Sequence, residues 1–280
     1  MCTLGDYSEI HLSFGKVNRL MERLYPLFWF LIGMLCTWII FIFARSRKPV
    51  PKIEPGSSEN EEFSEPLIKA ESVLVKTTED SSNAIIMISK AYYLGISAFH
   101  AQNVQLLEEI EIEIEEFNQR ARKLKANTYR VIQQLQHDSI ETGHYYVQIV
   151  DYLREMAHSI KYVVRPLQEH LKNNHRPFGE DQNTELTEFN NQVTDFLNFA
   201  LHIIKVSRFE QIDELIQKRK DILELMREQE NLQIRRIKRK GTNSRNSILY
   251  FGVMSETKHL LLQTVNLLKA TRDFVSYTKS

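Results

Sequence analysis

An uncharged apolar segment near the N-terminus constrains the fold of this chain more than any other feature. Residues 25–44 read YPLFWFLIGMLCTWIIFIFA. A helix of this length, at about 1.5 Å per residue, spans about 30 Å, which is the thickness of the hydrocarbon core of a bilayer. Trp29 and Trp38 lie towards its ends, where their rings favour the membrane interface. The run is too long for a signal peptide, and no small-residue cleavage site follows it. We therefore predict one transmembrane helix.

The charges that flank this segment predict its orientation. Four cations follow it closely: Arg45, Arg47, Lys48 and Lys52. Three cations precede it within residues 16–23, and Glu22 offsets one of them. This bias favours a cytoplasmic C-terminal domain and a single-pass protein of the cell inner membrane. Residues 1–24 are amphipathic, and we expect this N-terminal segment to lie along the membrane surface.

Residues 45–80 are predicted to be a linker, because four prolines fall between positions 49 and 66 and no core-forming pattern is present. Beyond the linker, apolar residues recur with a helical period. The predicted helices lie near 81–102, 104–136, 139–173, 184–206, 208–240 and 244–278. Ser207 and Glu210 resemble a capping box for the fifth helix. We therefore predict an all-α fold, with a first three-helix bundle over 81–175 and a second over 181–280.

One stretch tests the helical interpretation, since residues 108–116 (EEIEIEIEE) alternate like a strand. A wider window shows apolar residues at spacings of three and four, which is the pattern of one helical face over several turns. These residues are Leu107, Ile110, Ile114, Phe117, Ala121 and Leu124. The wider pattern favours a helix.

An internal repeat links the two predicted bundles. Residues 140–162 align with residues 255–277 without a gap, and seven of 23 positions match. Each copy is the third helix of a three-helix set, so duplication of the whole unit is the economical explanation. The matches include these pairs: Glu141 with Glu256, Thr142 with Thr257, His144 with His259, and Gln148 with Gln263.

The repeated Glu-x-x-His pattern suggests a metal site, because it places a carboxylate and an imidazole one turn apart on the same helical face. If the two copies face each other, Glu141, His144, Glu256 and His259 are the expected ligands, and Asp151 is an additional one. Such a set suits zinc, iron or manganese. The polar stripe lies opposite the apolar seam of its helix. The alternative is therefore a solvated face whose polar pairs stabilise the helix.

The remaining motifs are less specific. The cations of residues 235–240 end a predicted helix and complement its dipole. Contact with anionic lipid or with an acidic partner is the alternative. Nucleic-acid binding is disfavoured, because no aromatic platform is interleaved with these charges and the formal net charge is zero. His170 and His175 form a loop cluster of low specificity. Cys2 and Cys36 supply neither a disulfide framework nor a zinc site. No enzyme motif is present, so we expect a protein without catalytic activity.

Two segments carry a family resemblance. Residues 141–178 and 246–274 resemble the PhoU-like helical domain that is fused to some bacterial inorganic phosphate transporters of the PiT type. The resemblance covers about residues 80–280 and implies two three-helix bundles, in agreement with the repeat. It also implies acidic E/D-x-x-x-D motifs that bind metal clusters. The corresponding acids here are Asp151 and Glu155, and Asn266 replaces the acid in the second copy.

The resemblance implies a regulatory module for inorganic phosphate transport. This chain would be the C-terminal part of a transporter or a separate subunit of one. The expected partners are the membrane and the transporter core or another membrane subunit, without nucleic acid, and a homo-oligomer is compatible with them. The alternative is a helical, membrane-tethered scaffold or signalling protein with no transport role.

Overall fold

The computed structural model describes residues 69–135 and 140–279 and consists there of long α-helices. The predicted transmembrane helix at 25–44, the amphipathic segment at 1–24 and most of the predicted linker lie outside these residues. Among the helices of the described ranges, none combines the length and the apolar composition that a membrane span requires. The helices are α1 (Ala70–His100), α2 (Val104–Gln134), α3 (Ile140–Lys172), α4 (Glu180–Val206), α5 (Ile212–Lys238) and α6 (Ser244–Lys279). A short 3-10 helix, Phe209–Gln211, precedes α5. The prediction of an all-α fold is confirmed for the described residues.

The helices form two sets of three that share one compact unit. In the first set α1, α2 and α3 pack together, and in the second α5 packs on α4 and α6. The two sets meet along α1–α4 and, most extensively, along α3–α6. The Tyr92 hydroxyl on α1 lies 3.0 Å from the Thr257 hydroxyl on α6. Burial raises the pKa of Tyr92, so this pair is a neutral hydrogen bond inside the core.

Helix α1 begins at Ala70, whereas the sequence predicted a linker up to residue 80. Val73, Thr77 and Ser81 are spaced one turn apart and are all buried. The Thr77 hydroxyl donates to the Val73 carbonyl at 2.6 Å, and the Ser81 hydroxyl donates to the Thr77 carbonyl at 2.7 Å. Short hydroxyl side chains that are satisfied by their own helix can pack in a core. A hydrophobicity pattern alone therefore placed the start of this helix too late.

The predicted capping box at Ser207 is wrong. Ser207 adopts a left-handed conformation with φ of 54° and ends α4. The Arg208 amide then donates to the Ile203 carbonyl at 3.1 Å, which is a bond typical of a helix C-terminus. The 3-10 turn separates this point from α5, so α5 begins at Ile212 rather than near residue 208.

The acidic stretch of residues 108–116 is helical, as the wider apolar pattern predicted. Ile110 and Ile114 are buried, whereas Ile112 is 62% exposed. The acids on the α3 side form ion pairs with cations of α3: Glu108 with Lys172 at 3.1 Å, Glu111 with Arg165 at 3.8 Å, and Glu115 with Lys161 at 2.7 Å. Each exposed pair contributes at most about 1 kcal/mol. These three ion pairs therefore serve mainly to align α2 antiparallel to α3.

Candidate functional site

The repeated polar stripe lies on α3 and α6, the two helices that make the most extensive contact between the halves of the domain. His144 is exposed, and its Nε2 atom lies 3.0 Å from the Gln148 amide nitrogen. The second copy repeats this pair, with His259 Nε2 lying 2.9 Å from the Gln263 amide nitrogen. Both pairs thus place an imidazole ring nitrogen within hydrogen-bond distance of a glutamine side chain one turn along the same helix.

The two histidines nevertheless occupy different environments. His259 is half-buried, and its Nδ1 atom lies 3.0 Å from the hydroxyl of Ser159 on α3. Its Nε2 atom lies near the Gln263 amide at the same time. Both ring nitrogens of His259 are therefore engaged, and this residue fixes α6 against α3.

The predicted shared metal site does not form, because α3 and α6 run antiparallel. His259 contacts Ser159, which lies about 22 Å along α3 from His144 at about 1.5 Å per residue. At the other end of the pair, Tyr145 stacks on Phe274 with ring centroids 6.0 Å apart. Metal–nitrogen bonds of about 2 Å cannot bridge such a separation. Glu141 and His144 thus lie far from Glu256 and His259.

The acids that the resemblance points to have cationic partners. Asp151 accepts from Lys125 of α2 at 2.9 Å, and Glu155 accepts from its neighbour Arg154 at 2.6 Å. Within residues 69–135 and 140–279, no group of three or more His, Cys, Asp or Glu side chains could hold a metal ion. The structure therefore gives no support to Asp151 as a ligand that supplements Glu141 and His144.

The second three-helix set contains a half-buried ionic cluster that the sequence analysis missed. Arg236 of α5 pairs with Glu185 of α4, and the Tyr250 hydroxyl of α6 donates to the same carboxylate at 2.8 Å. Arg236 also donates to the Gln233 side chain at 3.0 Å. Burial and the Glu185 charge raise the pKa of Tyr250. These residues come from three helices and share no short motif, so no sequence signal identified the cluster.

A cleft of about 540 Å³ opens where the end of α3, the α3–α4 loop and the start of α6 meet. Its floor is apolar and its rim is polar. The lining residues are Pro166, Glu169, His170, Asn173, His175, Arg245, Ile248, Leu249, Gly252 and Val253. An Arg245 guanidinium nitrogen lies 2.9 Å from His175 Nδ1. Partial burial and the Arg245 charge lower the pKa of His175, so this histidine is neutral near pH 7 and can accept from Arg245.

The two histidines of the predicted loop cluster have separate roles at this cleft. His170 is 5% exposed and packs edge-on against Phe99, with ring centroids 5.8 Å apart. Its Nε2 atom lies 3.0 Å from the Arg176 carbonyl and donates to it. His170 therefore holds the α3–α4 loop in place, whereas His175 lies at the cleft rim.

Comparison with solved structures identifies a protein of similar fold. The chain is similar to the phosphate transport system regulatory protein PhoU from Streptococcus pneumoniae, with a TM-score of 0.61 and 12% sequence identity. The match covers 74% of this chain and 97% of that one. No family model and no curated protein matches the sequence. The described helices thus have a PhoU-like fold, in agreement with the sequence resemblance.

Proposed function

We propose that this chain is a membrane-anchored, PhoU-like regulatory module of inorganic phosphate transport. The observation that carries the proposal is the extent of the structural similarity. The match includes nearly the whole of a phosphate transport regulatory protein rather than one three-helix unit of it. The shared feature is therefore the complete set of six helices, whose two halves meet along α1–α4 and α3–α6.

The apolar segment 25–44 supports the membrane anchor, and the flanking cations support a cytoplasmic domain. An anchor raises the effective concentration of the bundle next to a membrane partner. The module would act on a phosphate transporter core, either as its C-terminal part or as a separate subunit, by binding rather than by catalysis. Its helices would supply a rigid surface for that contact.

Phosphate uptake tests this proposal directly. The gene is replaced by a version that ends after residue 68, which keeps the anchor and removes all six helices. Radiolabelled phosphate uptake is then compared with the parent strain in phosphate-rich and phosphate-poor media. We expect the rate of uptake, or its response to phosphate supply, to change. Equal uptake in both media would contradict the phosphate role and leave the scaffold alternative.

A matched version that lacks residues 1–48 separates the anchor from the bundle. This version keeps every described helix and loses the apolar segment. We expect it to leave the membrane fraction and to reproduce at least part of the uptake defect. A reporter fused after Ser280 tests the topology, and activity only outside the cytoplasm would refute a cytoplasmic domain.

A further inference from the structure

The described helices carry an exposed basic surface at one end of the bundle. The end of α5, the start of α6, the end of α3 and the start of α4 meet there, because Arg245 contacts His175 and Asn246 donates to the Pro177 carbonyl at 3.0 Å. We define the basic end as the exposed cations of this region: Arg176, Arg235, Lys238, Arg239, Lys240 and Arg245. This surface goes beyond the proposed role in phosphate transport.

The cations of the basic end are not neutralised by acids. No ion pair joins any of them to a carboxylate within the described residues. The nearby Glu108 and Glu169 instead pair with Lys172 and Arg165. Two further exposed acids of this region, Glu180 and Asp181, lie at the start of α4. The local charge is therefore positive although the whole chain is neutral.

Exposed aliphatic side chains lie between the cations of the basic end. Gln233 is fully buried, so the opposite side of α5 faces outwards. At about 100° per residue, this outward arc runs through Ile234, Lys238, Arg235, Arg239 and Leu232 in that order. Ile234 and Leu232 are 43% and 40% exposed. On α6 the next exposed residue is Ile248, at 72%.

This combination of charge and apolar exposure favours one occupant. Aliphatic side chains beside Lys and Arg match a bilayer interface, where the apolar groups enter the acyl boundary and the cations meet lipid phosphates. A nucleic-acid surface usually adds aromatic stacking groups, and the exposed large apolar residues of this end are aliphatic. We propose that the basic end docks on the surface of an anionic membrane.

Hydrogen exchange in lipid nanodiscs tests the docking on the full chain. The chain is reconstituted in discs of phosphatidylcholine alone and in discs that also contain phosphatidylglycerol. Amide exchange is read at residues 239–243 and 173–178, which lie outside the helices. We expect slower exchange in the anionic discs and loss of this difference at high salt. The anchor is the same in both discs, so it cannot by itself produce a difference.

A charge-reversal variant supplies the decisive comparison. The triple change Arg235→Glu, Lys238→Glu and Arg239→Glu should return exchange to the level seen in zwitterionic discs. Each cation near an anionic surface contributes about fivefold to association, so three contribute on the order of a hundredfold. Because acids at a helix C-terminus are unfavourable, a triple Gln variant is measured as well. Unchanged exchange elsewhere on α5 shows that both variants remain folded.

The matched control reverses three exposed cations elsewhere: Arg120, Lys123 and Lys220. Lys220 lies about 27 Å along α5 from Lys238. This control should keep the protection seen in anionic discs. The proposal would be overturned if exchange were equal in the two kinds of disc. It would also be overturned if the control variant lost as much protection as the charge-reversal variant. Protection by added polyglutamate or duplex DNA, together with equal exchange in the two kinds of disc without them, would favour an acidic protein or a nucleic acid instead.

Discussion

Replacement of Arg236 by methionine should destabilise the domain by leaving a carboxylate without its cation. The Arg236 and Glu185 side chains are only 18% and 15% exposed. Removing one partner of such a pair costs about 3–5 kcal/mol when burial is complete. The Tyr250 hydroxyl still donates to Glu185 at 2.8 Å, and some solvent reaches both side chains. We therefore expect a loss of about 3 kcal/mol, at the lower end of that range.

Thermal unfolding of the full chain in detergent, followed by far-ultraviolet circular dichroism, measures this effect. A domain of this size loses about 2–4 °C in melting temperature per kcal/mol, so we expect a decrease of about 6–12 °C. The exposed pair Lys90–Glu113 is the matched control, with side chains 54% and 48% exposed. Lys90→Met should cost less than about 1 kcal/mol.

A double-mutant cycle shows whether the ionic pair is the cause. Glu185→Leu should also be costly, because it leaves Arg236 without its carboxylate. The double variant Glu185→Leu/Arg236→Met should cost clearly less than the sum of the two single changes, since neither charge is then left unpaired. Costs that simply add would refute the argument, as would an Arg236→Met variant as stable as Lys90→Met.

Three further predictions concern two glycines of the helices and a histidine at the rim of the cleft. A Cβ at Gly95 would lie 2.9 Å from Val164 Cγ2, so Gly95→Leu should separate α1 from α3 and cost about 1–3 kcal/mol. By contrast, Gly252→Ala meets no atom within 4 Å and should raise helix stability by up to about 1 kcal/mol. Denaturation curves of the two variants check both values, and an unchanged Gly95→Leu protein would contradict the close approach. The pKa of His175 is lowered in the folded protein. On acidification this histidine is therefore protonated at a higher pH in the unfolded chain than in the folded one. Stability should therefore fall as the pH drops below about 6.5. His175→Gln should reduce this loss between pH 7.5 and pH 5.5, and an equal loss in melting temperature would refute the assignment.

Much of the fold could be predicted because the buried face of a helix requires apolar residues at regular spacings of three and four in the sequence. The stripe that includes Ile110 and Ile114 identified α2 as a helix despite the alternating acids, and both side chains are buried. The start of α1 could not be predicted in this way. Thr77 and Ser81 are buried after bonding to their own helix, and their polarity conceals that burial.

The candidate site was predicted less well, because residue types do not specify how two helices meet. The repeat aligned His144 with His259, and each of these histidines lies within hydrogen-bond distance of a glutamine one turn away. Their equivalence suggested proximity, but antiparallel packing of α3 and α6 places Ser159 beside His259 instead. A residue of the first repeat therefore does not contact its equivalent in the second repeat.

The sequence by itself determined the properties that depend on neighbours along the chain. These are the helical period, the uncharged segment 25–44, the match between residues 140–162 and 255–277, and the run of cations at residues 235–240. Only the tertiary structure decided which charges are neutralised. Arg236 belongs to that basic run, yet it turns inwards to Glu185, a residue of another helix. Arg235 and Arg239 on the same helix remain exposed. The physical reason is that helix geometry fixes the direction of each side chain, whereas the partner in that direction depends on how distant segments pack.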